Sequence, residues 1–219
     1  MLVIIFVMKL IIKQFEIGPL QNFIYFLADA DSKEVAVVDP AWDVGFLLQE
    51  AKKENWKITK FFLTHGHPDH VNGLPELLKS HDVPVYISEN EAPFLKPKNK
   101  NIIEVKNGET LTIGSIPFKC ILTPGHTPGC QCFLHGKHLI TGDALFIDGC
   151  GRCDLPGGDA KRMYNSLYKI IMPLPDETIV YPGHNYGATP TDTIGHQKES
   201  NPYLQCENMQ EFLSERMGY

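Results

Sequence analysis

The sequence has no hydrophobic run near the ~20 residues that a bilayer-spanning helix requires. Its most apolar opening stretch, Met1–Val7 (MLVIIFV), is far shorter, with no positive segment before it and no small-residue cleavage site after it. A secretory leader is therefore not expected. That stretch reads as an edge-strand extension or as a start assigned seven residues early, with Met8 the natural beginning and one domain over 8–219. Basic residues are also in short supply: 20 Lys+Arg against 26 Asp+Glu leave a net charge of −6. That balance argues against nucleic acid or an anionic membrane as partner. There is no internal repeat and no low-complexity tract. Tryptophan occurs only twice, and Trp42 and Trp56 read as packing residues. A cytoplasmic protein, monomer or homodimer, is the expectation.

What the chain does have is an ordinary core composition, 43% hydrophobic and 21% charged, which excludes wholesale disorder. Its 219 residues suffice for one domain without disulfide support. Six cysteines, at 120, 130, 132, 150, 153 and 206, are expected as free thiols. A structural zinc built from Cys130, Cys132, Cys150 and Cys153 is a minor alternative, because spacing alone does not bring the pairs together.

Patterning predicts a hairpin of Asn22–Ala28 and Glu34–Asp39, then a helix over Val44–Glu54 and a strand over Ile58–Leu63. Lys9 onward (KLIIKQFEI) alternates like an edge strand. A short helix follows at Gly73–His81, then strands at Val83–Ile87, Glu109–Ile113, Ile116–Leu122, Gln131–Leu134 and His138–Thr141. Asp159–Ile171 reads as a helix capped by Asp159, Thr178–Tyr181 as a strand, and Thr191–Ser200 and Glu207–Arg216 as helices. Two runs of strands with helices outside them imply an α/β fold of four αββα layers rather than one doubly wound sheet.

Nine histidines are present, and four candidate metal ligands crowd into Thr64-His65-Gly66-His67-Pro68-Asp69-His70. In extended backbone His65 and His67 share a face. A turn at Gly66–Pro68 lets Asp69 and His70 reach a second ion. Imidazole and carboxylate donors together suit zinc, iron or manganese. Three single residues repeat one grammar of apolar strand, glycine, ligand: His126 in TPGHTPG, Asp143 in ITGDA and His184 in YPGHN. Strand-end loops on a rigid sheet are where sites are built. His81, His135 and His138 read as solvent-facing, and His196 as a residue near the pocket mouth.

The series His65-x-His67-x-Asp69-His70, His126, Asp143, His184 resembles the metallo-β-lactamase superfamily, in particular its glyoxalase II-like branch in short form. The resemblance implies a four-layer αββα sandwich. It also implies two divalent metal ions, zinc first and iron or manganese next, with His65, His67 and His126 on one ion and Asp69, His70 and His184 on the other. Asp143 would bridge them. Thioester hydrolysis through a metal-bridging hydroxide follows, with Asp69 and Asp143 as the catalytic carboxylates and a small thioester, glutathione-linked, as partner. In the loop Phe146–Asp154 the resemblance makes Arg152 a substrate contact, with pairing to Asp154 its alternative role, and Tyr186 a pocket wall. Residues 185–219 replace the helical glutathione-binding domain of full-length glyoxalase II. A mononuclear iron persulfide dioxygenase using His65, His126 and Asp143 is the rival implication, and a non-catalytic metal scaffold a weaker one.

Overall fold

The computed structural model describes residues 9–95 and 100–218. The expectation for residues 1–7 lies outside them. Six strands form the first sheet in chain order: β1 (Leu10–Ile17), β2 (Asn22–Asp29), β3 (Glu34–Val38), β4 (Lys57–Phe62), β5 (Val85–Ser88) and β6 (Ile102–Val105). The first three pair antiparallel and the rest parallel. The second sheet runs β12 (Asp192–Thr193), β11 (Ile179–Pro182), β10 (His138–Gly142), β9 (Gln131–His135), β8 (Ile116–Leu122), β7 (Thr110–Ile113). Only β10 and β11 pair in parallel there.

Strand β2 shows why the layers stack. All eight of its residues are buried, as expected of a strand covered on both faces. Its alternation sends Phe23, Tyr25 and Leu27 into the core between the sheets, where Phe62, Phe118 and Phe133 meet them. Ile24, Phe26 and Ala28 point the other way, against α1 (Val44–Lys53) and α3 (Leu74–Ser80), through Leu47, Leu74 and Leu77. On the outer face of the second sheet, Leu139 and Val180 pack against α5 (Ala160–Ser166), α6 (Ile194–Ser200) and α7 (Met209–Met217) through Met163, Ile194 and Phe212. The layers are therefore αββα, as anticipated. Among the described residues no helix is long and apolar enough to cross a membrane.

Several boundaries depart from the pattern reading for local reasons. The helix expected over Asp159–Ile171 is α5 capped by Asp159 and then a π-turn at Leu167–Ile171. The helix expected from Thr191 starts at Ile194, because Thr193 caps it while Asp192–Thr193 pairs with β11. Strand β6 was not anticipated: its ends are buried and its centre exposed, so it carries no alternation. Short α2 (Pro68–Val71) and α4 (Ala92–Leu95) were not anticipated either.

The four-cysteine zinc alternative is corrected. Cys130, Cys132, Cys150 and Cys153 are buried free thiols inside the apolar cluster beneath the second sheet. Among the described residues no cysteine belongs to a metal-capable group. Burial pushes all four thiols above their ordinary pKa, the reverse of what a thiolate ligand needs.

Candidate metal centre

Every expected ligand follows the end of a strand, and all of these ends point to one rim. β4 runs into His65 and His67, with Asp69 and His70 on α2; β8, β10 and β11 lead to His126, Asp143 and His184. The structure brings all seven together. Donor atoms of His65, His67 and His126 lie within 4.8 Å of one another, and so do those of Asp69, His70 and His184. The carboxylate of Asp143 stands between the groups, with Oδ1 3.4 Å from His70 Nε2. Its Oδ2 is 3.3 Å from His126 Nε2 and 3.4 Å from His184 Nε2. Gly183 makes this approach possible: a Cβ there would overlap Asp143 Oδ1.

The outer nitrogen of each of four imidazoles is tied to an oxygen, which fixes the tautomer and turns the other nitrogen inward. His126 Nδ1 donates to the Arg152 carbonyl at 2.7 Å, and His184 Nδ1 to the Leu20 carbonyl at 2.8 Å. His70 Nδ1 donates to Asp39 Oδ2 at 3.0 Å. Thr64 Oγ1 gives its own proton to Asp39 Oδ2 at 2.6 Å and so accepts from His65 Nδ1 at 3.0 Å. Inward-facing nitrogens then approach one another closely: His67 Nδ1 lies 2.9 Å from His126 Nε2, and His70 Nε2 3.2 Å from His184 Nε2.

Donor chemistry fits two divalent cations. Asp143 Oδ1 is buried without a hydrogen-bond partner, an orphan acceptor amid converging imidazoles. Burial, with neighbouring imidazoles, holds His65 and His67 below the usual imidazole value, hence neutral as a ligand must be. Burial would raise Asp143, but His70, His184 and His65 hold it well below the carboxylate range. Burial also opposes charge on His70, yet Asp143, Asp39 and Asp69 carry it up to about 9, so this imidazole must release its proton before it can hold an ion. Asp39 itself serves as an orienter, because Oδ1 takes the Thr64 N–H and Oδ2 takes Thr64 and His70.

Residues 17–184 match the family profile of the metallo-beta-lactamase superfamily. The chain belongs to that superfamily. Among its superfamily relatives is a probable polyketide biosynthesis zinc-dependent hydrolase, BaeB, of Bacillus velezensis, 34% identical over 89% of this chain and 87% of that one. The hydroxyacylglutathione hydrolase GloC of Haemophilus influenzae is 32% identical over 81% of this chain and 91% of its own. A crystal structure of ETHE1 from Myxococcus xanthus superposes with a TM-score of 0.86 at 31% identity, covering 95% and 92% of the two chains. Metal-dependent enzymes of two reaction types, hydrolases and persulfide dioxygenases, thus stand at similar distance within the superfamily.

Above these seven converging side chains opens a cavity of about 560 Å³, walled by Phe146, Arg152, Tyr186, Tyr203 and Arg216. Tyr186, 54% exposed, stacks on His184 with ring centroids 4.7 Å apart. Arg152 forks onto Asp154 at 2.7 and 2.6 Å. His196 pairs with Asp192 on the outside of α6 and is not among the cavity walls. His81, His135 and His138, read as solvent-facing, are each partly exposed, with His135 bonded to the Pro117 carbonyl and His138 to the Tyr181 hydroxyl.

Sequence reasoning missed the orienting residues. Trp42, expected only to pack, donates its indole N–H to Asn22 Oδ1 at 2.8 Å, and Asn22 Nδ2 donates to Asp69 Oδ2 at 3.0 Å. Asp39 carried a faint signal, since it too is an acid just past an apolar strand. Arg216 carried none.

Proposed function

We propose that the protein hydrolyses small-molecule thioesters with two divalent metal ions, zinc foremost, of which His65, His67 and His126 hold one and Asp69, His70 and His184 the other. Asp143, standing between the two groups, would contribute to both. When bound, such ions lower the pKa of a shared water toward neutrality and polarise the substrate carbonyl. Asp143 keeps the two donor groups at a fixed separation. Asp69, held by Asn22, orients the attacking oxygen. Tyr186 on His184 walls the cavity on the second-ion side, and Arg152 stiffens the loop that carries the His126 contact. A thiolate leaves readily, so no strong acid is required beside it.

The observation that carries this reading is the complete and oriented second donor group. The tethers from Leu20 to His184 and from Asp39 to His70 hold that group ready for a second ion. An acyl-glutathione is the first substrate to try, given the similarity to GloC. The test is metal content of protein purified without added metal, alongside two assays. Two ions per chain with S-lactoylglutathione hydrolysis support the proposal. One iron per chain, with oxygen uptake on glutathione persulfide and no thioester turnover, establishes the persulfide dioxygenase that the likeness to ETHE1 supports.

A further inference from the structure

A second cavity, again of about 560 Å³, opens against the first donor group. His67 and Leu155 line both it and the cavity above the seven side chains, so the two meet there. Their walls differ in character. The first cavity presents two arginines and two tyrosines, whereas the second is bounded by Leu155, Pro128 and Pro156, with the buried Thr127 and Glu91 completing it.

Glu91 makes that second wall rigid. Its Oε1 accepts the Gly129 N–H at 2.9 Å and its Oε2 the Gly66 N–H at 3.1 Å. Gly66 lies between His65 and His67, and Gly129 three residues past His126, so one carboxylate ties together the loops that carry the first donor group. Thr127 follows His126 directly and is only 3% exposed, yet its hydroxyl has no hydrogen-bond partner in the protein. A buried orphan hydroxyl is costly and uncommon in a folded chain, so a polar atom of a bound molecule is its natural complement.

The chemistry of a thioester names the occupant. At its carbonyl carbon the sulfur and the acyl chain diverge, so two cavities that meet at His67 can divide the substrate between them. The polar cavity suits a peptide-like carrier, and the one walled by leucine and proline suits hydrocarbon. A lactoyl group would leave most of the second cavity empty. We propose that this second cavity is the acyl pocket, selecting an aliphatic acyl chain longer than lactoyl, with Thr127 as the hydrogen-bond partner of a hydroxyl beside the carbonyl. That the chain is an acyl group rests on the thioesterase reading; that hydrocarbon on the substrate's sulfur lodges here does not.

Non-hydrolysable thioethers test this without turnover. Titration calorimetry on the zinc-loaded protein compares S-methylglutathione with S-hexylglutathione. Each methylene taken out of water is worth roughly fourfold in affinity, so the hexyl compound should bind roughly thirtyfold more tightly or better. Leu155→Ser, at a half-buried loop position, should cut that gap severalfold with metal content unchanged. Isotope-filtered NOEs from the hexyl chain should reach Leu155 and Pro128. S-(2-hydroxyhexyl)glutathione should gain roughly a further fivefold, and Thr127→Val should remove that gain alone. Equal affinities of the methyl and hexyl compounds overturn the proposal, as do NOEs confined to Leu20 and Tyr186 or a gap left whole by Leu155→Ser. A hydroxyl gain absent in the wild type, or persisting in Thr127→Val, overturns the role of Thr127. Should Leu155→Ser fail to fold, the NOE contacts decide alone. A protein that shows the chain-length gap but hydrolyses neither S-lactoylglutathione nor S-hexanoylglutathione sinks the thioesterase and leaves the pocket standing. One that hydrolyses the lactoyl compound without the gap does the reverse.

Discussion

Asp39 Oδ2 lies 3.0 Å from His70 Nδ1, although 31 residues separate them, and the same oxygen takes the hydroxyl proton of Thr64. One carboxylate thus orients a ligand of each donor group, His70 directly and His65 through Thr64. Asp39 occupies left-handed backbone at φ 50, a conformation uncommon for a residue other than glycine. Asp39→Asn should therefore weaken the second ion most, by roughly ten- to hundredfold in affinity. Chelator competition followed by metal analysis checks it. Equal retention of both ions would show that His70 needs no orienter.

Much of this centre was legible in the sequence, and the reason is geometric. Each candidate ligand sits within eight residues after an apolar strand, so strand recognition and ligand recognition reinforce one another. The layer order followed from the same strands. What stayed hidden acts across distance in the chain: Trp42 on Asn22, Asn22 on Asp69, Asp39 on His70, Arg216 on Gly151. No periodicity encodes such pairs, because each partner belongs to a different element. Strand β6 stayed hidden for another reason, its exposed centre at Ile103 and Glu104.

The relay from Trp42 through Asn22 to Asp69 yields a second expectation. Trp42→Phe keeps the ring's bulk but deletes the N–H that fixes the Asn22 amide, so Asn22 can turn away from Asp69. Loss of one such bond is worth about 1 kcal/mol, roughly fivefold. We expect kcat to fall by about that factor, with KM and thermal stability nearly unchanged. A fall in stability with kcat intact would return Trp42 to a packing role.

Asp29 governs a pH dependence remote from the metals. Burial alone would raise its pKa, but the N–H and hydroxyl of Ser115 and the N–H groups of Asp31 and Ser32 hold it below the usual carboxylate value. A folded pKa below the unfolded one contributes stability above the unfolded value, near 4, and loses it as pH falls through the folded value. Asp29→Asn should cost about 1–2 kcal/mol at pH 7. That gap from wild type should close as pH drops below ~4. Urea unfolding at several pH values reads it directly, and a gap independent of pH would mean that the amide costs stability through its fit and hydrogen bonds rather than through the lost charge.

His184 separates the two reaction classes most sharply. It is buried, steered by the Leu20 carbonyl, and placed 3.2 Å from His70 Nε2 and 3.5 Å from Asp69 Oδ2. It touches the first donor group only through Asp143. His184→Ala therefore leaves His65, His67 and His126 in place and removes one of three donors from the second ion. If two ions drive thioester hydrolysis, this variant should retain about one equivalent of metal and lose activity by at least about a hundredfold, since the shared water loses one of its two cations. Tyr186 would also lose the ring on which it stacks, so KM should rise modestly at the same time. If a single iron carries the chemistry, the variant should keep its full metal content and most of its oxygen uptake. Metal analysis and the two assays on one preparation decide between these outcomes, because the variant's metal count distinguishes a lost ion from a merely misshapen pocket.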